Sequence, residues 1–169
     1  ELYPDNEDLK QDLIRWYFGQ EDFAGAEAFL RAEAGDLTGD TAPHMEVVSL
    51  VMRIGGREAA RTELQALRAA NEGTATADFY GAFLAGMDFE EGQTDAALAA
   101  LEAILATAEP SDQTRDISIA KAQMLLSSGE RDTAESIVDT VLAEDSSHVE
   151  ALKLRASWLI DGDRPGEAI

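Results

Sequence analysis

The chain has 169 residues, of which 13 are Lys or Arg and 34 are Asp or Glu, so its formal charge at pH 7 is −21. A phosphate backbone would be repelled by this field, which argues against nucleic acid as a partner and favours basic partners. Cysteine is absent, which excludes disulfides, thiolate nucleophiles and cysteine metal sites. Apolar runs are far shorter than the roughly 20 residues that cross a bilayer, so we expect no membrane insertion by this segment.

Two amphipathic segments open the chain, one on each side of Gly19. Their apolar residues keep a spacing of three or four positions: Leu9, Leu13, Trp16 and Tyr17 in the first segment, Phe23, Ala26, Phe29 and Leu30 in the second. This period predicts two one-sided helices with a turn near Gly19. After a glycine-containing loop, Thr41 with Pro43 in the first turn predicts the start of a third helix.

The third segment contains a β-branched run, Val47, Val48 and Val51, which would pass for a strand if it stood alone. The phase that it shares with the other segments predicts a helix instead. Further breaks are expected near Gly55, Gly92, Gly129 and Gly162, which gives ten helices with the last truncated. Two capping pairs, Asp132 with Glu135 and Ser147 with Glu150, are predicted at later helix starts.

One alanine position recurs through the chain at intervals of 34, 37, 37 and 34 residues, as Ala26, Ala60, Ala97, Ala134 and Ala168. A glycine stands five residues before three of these alanines, and a large apolar residue four residues after four of them: Leu30, Leu64, Leu101 and Val138. Independent features that keep one phase indicate a repeat protein. We expect a single domain over residues 1–169, with repeats at about 5–40, 41–77, 78–114, 115–148 and 149–169.

These residues resemble the tetratricopeptide repeat. The small residue of the family's first helix is matched by Ala85, Ala122 and Ala156, while Ile14 and Val48 occupy that position in the first two repeats. The resemblance implies an all-α fold, a right-handed α-solenoid of about five helix-turn-helix repeats with the last one truncated. It also implies that the concave face, lined by the first helix of each repeat, binds an extended peptide or a partner helix.

The same resemblance supplies candidate groove residues on the first helices. They are Met45, Ser49, Met52, Phe79, Ala82, Gly86, Phe89, Ile119, Gln123 and Lys153. The Lys, Arg and Asn set with which some family members grip a terminal carboxylate is missing, since Lys153 alone fits it. The first-helix positions in repeats two to four are apolar or small, and the net charge is negative, so we expect the concave groove to be an apolar channel with an acidic rim. Such a groove predicts a protein or peptide partner that is apolar with basic flanks. Phe83, Trp16 and Tyr17 are interpreted as packing between helices.

No residue set predicts catalysis, a metal or a cofactor. His44 and His148 each stand at a predicted helix start and are interpreted as exposed first-turn histidines. Asp161, Asp163 and Glu167 lack the glycine and glutamate spacing of a calcium loop. We therefore predict no catalytic residue, no metal site and no cofactor.

The predicted function is a non-catalytic protein–protein interaction scaffold, by analogy with bacterial repeat proteins that serve cell-envelope or exopolysaccharide assembly. The alternative is a regulatory or substrate-presenting arm of an enzyme whose catalytic domain lies outside this segment. The chain starts at Glu1 and stops in mid-repeat, which suggests a fragment of a longer bacterial protein whose cut ends self-associate. The compartment stays open between the cell envelope or periplasm and the cytoplasm.

Overall fold

The computed structural model describes residues 7–161, and in this range every regular element is an α-helix. The helices are α1 (Glu7–Gly19), α2 (Phe23–Ala34), α3 (Thr41–Ala70), α4 (Ala75–Glu90), α5 (Thr94–Leu105), α6 (Asp112–Ser127), α7 (Arg131–Glu144) and α8 (Val149–Asp161). The predicted all-α helical-repeat fold is confirmed, and the valine run is helical. The chain forms two compact units that meet in sequence between Glu72 and Gly73, so α1 to α3 belong to unit 1 and α4 to α8 to unit 2.

Glycines interrupt the helices where the sequence predicted. Helix α1 ends at Gly19, and α3 is broken at Gly56, whose φ of 78° and ψ of −171° are not helical. Gly92 and Gly129 follow α4 and α6 with φ of 82° and 88°. Glycine alone adopts such angles without a steric penalty, so the chain can reverse at these points. Gly162 and the helix predicted after it lie outside the described residues.

The core of unit 1 is built around α2. The phase residues Ala26 and Ala60 are fully buried, with Leu30 and Leu64 nearly so. Helix α2 packs against both α1 and α3. The Arg31 guanidinium donates to both carboxylate oxygens of Glu63, at 2.8 and 2.7 Å, and this pairing raises the pKa of Arg31 above its usual value. The ion pair ties α2 to the part of α3 that follows Gly56.

Unit 2 repeats one packing scheme along the chain. Each of α4 to α7 contacts the next helix, and the first helices of successive hairpins also touch, α4 with α6 and α6 with α8. Ala97 and Ala134 are fully buried, as are Leu101 and Val138 four residues after them. Such small residues let neighbouring helices approach closely while the large ones fill the space between.

The predicted capping pair at α7 is wrong. Helix α7 begins at Arg131, its N-cap Glu130 makes no side-chain capping bond, and Asp132 is already inside the first turn. Glu135 accepts a hydrogen bond from the Arg131 side chain at 2.8 Å instead. An acidic residue followed three positions later by Glu resembles a capping box, but here the helix starts two residues too early for Asp132 to serve as the cap.

The predicted pair at α8 is also wrong, because His148 takes the capping role. The backbone N–H of Ala151 donates to Nδ1 of His148 at 3.3 Å, which satisfies a helix N–H that has no partner inside the helix. Ser147 instead donates its hydroxyl to Oδ1 of Asp145 at 2.7 Å.

Replacing His148 with Ala is expected to destabilise unit 2 by about 1 kcal/mol, the typical cost of a lost N-cap. Hydrogen exchange of the Ala151 amide should also accelerate, since its acceptor is gone. Urea unfolding and amide exchange measure the two effects. The neighbouring change Ser147→Ala, which leaves Nδ1 in place, serves as the control. Equal exchange rates at Ala151 in both variants would show that His148 does not cap α8.

Candidate functional site

Helix α1 and the part of α3 before Gly56 are held side by side without direct backbone contact. Both helices lie next to α2, but no Cα of α1 lies within 8 Å of a Cα of α3. Two side-chain contacts join them: Lys10 Nζ lies 2.6 Å from Glu46 Oε2, and Cζ of Arg53 lies 4.1 Å from the centroid of the Phe18 ring. Because a residue early in α1 pairs early in α3 and a late one pairs late, the two helices run parallel.

Between these helices lies a groove of about 720 Å³, which we call the α1–α3 groove. Its floor consists of Ile14, Phe18, Leu30, Met45 and Leu50. Leu30 and Leu50 are buried in the core of unit 1, whereas Ile14 and Met45 are only half-buried and remain accessible. The groove therefore offers apolar surface to solvent above a packed base.

The rim of the α1–α3 groove is basic. Lys10, Arg15 and Arg53 line it, against the single carboxylate of Glu46. In the chain as a whole, 34 acidic residues outnumber 13 basic ones, whereas basic residues outnumber acidic ones along this groove. The acidic rim predicted from net charge is wrong for this groove, because net charge sums the whole surface and does not locate any charge.

The three rim cations differ in their partners. Lys10 is paired with Glu46, and Arg15 Nη1 lies 2.6 Å from Asp12 Oδ1 in a pair whose side chains are 74% and 64% exposed. Such exposed pairs contribute little, so Arg15 can exchange its partner at small cost. Arg53 rests on the Phe18 ring, and within residues 7–161 the structure records no carboxylate partner for it.

Two of the sequence-predicted groove residues line this site. Met45 is half-buried in its floor and Ser49 is exposed beside it. Met52 lies on the same part of α3, half-buried, but does not line the groove. The contributions of α1, namely Lys10, Ile14, Arg15 and Phe18, were missed because the repeat phase was read only from the second repeat onward. The residues of α1 that contact α3 precede their partners by 35 to 36 residues, as Phe18 precedes Arg53 and Lys10 precedes Glu46. Counting back by this distance from the groove residues of α3 would have indicated the groove residues of α1.

The other candidates belong to unit 2. Phe79, Ala82, Gly86 and Phe89 are all half-buried on α4. Gln123 on α6 and Lys153 on α8 are exposed. Ile119 is 2% exposed and lies in the α6–α7 core, so it offers no binding surface, because the helices that follow α6 in unit 2 cover it.

Two aromatic interpretations are wrong. Phe83 is 44% exposed and stacks edge-on against Phe79 with the ring centroids 4.9 Å apart, and Trp16 is 57% exposed. Tyr17 does pack against the core of unit 1. Helical spacing places a residue on a face but does not tell how much of that face a neighbour covers.

Both histidines are buried, so the interpretation of exposed first-turn histidines is wrong. His44 Nε2 lies 2.8 Å from the Asp36 carbonyl oxygen, and His148 Nε2 lies 3.2 Å from Asp116 Oδ1. Each ring thus has a polar partner that offsets its burial. Among the described residues no three His, Asp or Glu side chains are grouped as metal ligands. Asp163 and Glu167 lie outside that range.

Successive helical hairpins with buried small residues at their contacts define unit 2 as an α-helical repeat structure. The family model described as tetratricopeptide repeat matches residues 88–157, from the end of α4 into α8. For residues 88–157 this match supports the predicted resemblance to the tetratricopeptide repeat family, whose repeats generally mediate protein–protein interactions. No curated protein and no solved structure matches the chain. No helix among residues 7–161 combines the length and apolarity that a membrane span requires.

Proposed function

We propose that this protein is a non-catalytic scaffold that binds an extended peptide or a helix of another protein in the α1–α3 groove. The observation that carries the proposal is the accessible apolar floor formed by Ile14 and Met45 between two parallel first helices. A volume of about 720 Å³ is within the range typical of ligand sites. The unbranched Met45 side chain can adapt its shape to the large apolar residues of a partner.

Replacing Met45 with Ser is expected to weaken binding of a groove ligand by about tenfold to a hundredfold, since burying such a side chain is worth roughly 1.5 to 3 kcal/mol. The probe is a set of 16-residue peptides selected from a displayed random library against the intact protein. Titration calorimetry measures the affinities. Chemical-shift changes on binding should cluster at Ile14, Met45 and Ser49.

The matched control is Ile54→Ser. Ile54 lies nine residues after Met45 on the same part of α3, is 37% exposed and does not line the groove. It should leave the peptide affinities unchanged, and circular dichroism should report equal helix content for both variants. Equal weakening by the two substitutions, or none by either, would place binding elsewhere on the chain.

The candidates of unit 2 extend this proposal to a second surface, formed by Phe79, Ala82, Gly86 and Phe89 on α4, with Gln123 and Lys153 on the later first helices. The same chemical-shift experiment tests them. Shifts confined to α4 would move the proposed site to unit 2. A role in cell-envelope or exopolysaccharide assembly stays a prediction from the family resemblance, and so does the alternative of an arm attached to an enzyme.

A further inference from the structure

We infer that the α1–α3 groove selects an acidic segment of a partner protein, in which large apolar residues are followed at one end by Asp or Glu side chains. This is the opposite of the basic partner that the net charge of −21 suggests. The inference rests on the proposed function, because it specifies the ligand of the same groove. Charge complementarity at the rim is the argument for it.

A segment bound in the groove would experience mainly the charges of its rim. At physiological salt the screening length is about 8 Å, so charges at the rim dominate over carboxylates elsewhere on the surface. On the part of α3 before Gly56, Glu46 is the one acidic residue, and it is held by Lys10. Asp12 on α1 does not line the groove and pairs with Arg15. Uncompensated charge inside the groove is therefore positive.

The positive charge is concentrated toward one end of the groove. The Lys10 and Glu46 pair lies toward one end of the groove and is neutral in sum. Arg15 and Arg53 lie toward the other end, near Phe18. A segment lying along the groove would place its apolar residues over Ile14 and Met45, and carboxylates beside the two arginines. This uneven distribution of charge predicts the orientation of the ligand along the groove as well as the sign of its charge.

Both arginines are available to a bound segment. The Arg53 guanidinium is held over the Phe18 ring, which fixes its position while leaving its N–H groups at the edge free to donate. A carboxylate that reaches it forms a charge-assisted hydrogen bond. Arg15 gives up only an exposed pair with Asp12. Neither arginine has to leave a buried position to bind the ligand.

The test uses three synthetic peptides that share one apolar core and differ in four flanking residues, which are all Glu, all Gln or all Lys. Both termini are blocked, so that no terminal carboxylate contributes. We expect the Glu peptide to bind about tenfold more tightly than the Lys peptide at low salt, with the Gln peptide between them. The gap should shrink in 0.5 M NaCl because exposed charges are screened.

Variants of Arg53 connect the preference to the groove. Arg53→Glu should abolish or reverse the order of the Glu and Lys peptides, whereas Arg53→Lys should keep the order. The control Arg68→Glu makes the same charge change at an exposed position of α3 outside the groove, and it should leave the order unchanged. Fluorescence anisotropy with labelled peptides measures all the affinities.

The outcomes separate this inference from the proposed function. Tighter binding of the Lys peptide, or an order that Arg53→Glu does not alter, would overturn the inference while Met45→Ser still tests the groove. The proposed function would be overturned as well by two results together. These are that none of the three peptides binds the unaltered protein, and that Met45→Ser does not lower the affinity of the library-selected peptides. Sedimentation measures whether a second copy of this chain occupies the groove. A dimer of the unaltered protein that Arg53→Glu dissociates would show that the groove serves self-association, and this result would overturn the acidic partner.

Discussion

Replacing Leu101 with Ala is expected to lower the free energy of unfolding of unit 2 by about 2 to 4 kcal/mol. Leu101 is fully buried on α5, in a cluster that includes Ala85, Ile104 and Ile117. These neighbours belong to α4, α5 and α6, so the side chain fills space that three helices share. Truncation would leave a cavity that these helices cannot close without losing their other contacts, and the cost includes lost burial and the cavity itself.

The measurement is urea unfolding followed by tryptophan fluorescence. The chain has two tryptophans, and Trp16 belongs to unit 1, so a Trp16→Phe background leaves Trp158 as the reporter of unit 2. Trp158 is 6% exposed, and its emission should shift when the unit opens. Leu152→Ala is the matched control, since Leu152 is 44% exposed on α8. If Leu101→Ala lowers the free energy of unfolding no more than Leu152→Ala does, Leu101 does not fill the core.

Enlarging Ala134 to Leu is expected to destabilise unit 2 by about 1 to 3 kcal/mol through overpacking. Ala134 on α7 and Ala122 on α6 are both fully buried in one cluster with Val138. Three additional carbon atoms at Ala134 have no space unless α6 and α7 move apart. The penalty therefore comes from strain, although Leu is more apolar than Ala and is a comparable helix former.

Thermal unfolding by circular dichroism measures this effect, and Ala143→Leu is its control. Ala143 is exposed on the same helix, so the same substitution there should leave the melting temperature nearly unchanged. A stable Ala134→Leu variant would show that α6 and α7 do not depend on a small residue at their contact. The recurring alanine would then reflect composition and not packing.

The repeat phase in the sequence was sufficient to predict which residues are buried in the helical hairpins. A helix has a fixed period, so a residue that recurs at the same phase meets the same kind of neighbour in each repeat. Ala26, Ala60, Ala97 and Ala134 are accordingly all fully buried. The break at Gly56 was predictable for a similarly local reason, since few residues other than glycine adopt its positive φ.

The surface properties of the candidate site depend on the tertiary structure. Arg53 and Phe18 are 35 residues apart, and only the parallel placement of α1 and α3 brings the guanidinium over the ring. The net charge of −21 predicted an acidic rim, yet the folded chain gathers Lys10, Arg15 and Arg53 around one groove. His148 likewise serves as a helix cap that no sequence pattern indicated.

The physical reason for this division is the range of the interactions involved. Helix period, glycine breaks and the burial of small residues follow from local geometry that each repeat reproduces, so the sequence by itself determined the all-α repeat fold. The sign of the charge at the groove rim, and the exposed fractions of Phe83 and Ile119, depend on which helices lie side by side and on the distances between them. Those distances result from packing around α2 in unit 1 and between successive hairpins in unit 2, and only the tertiary structure decided them.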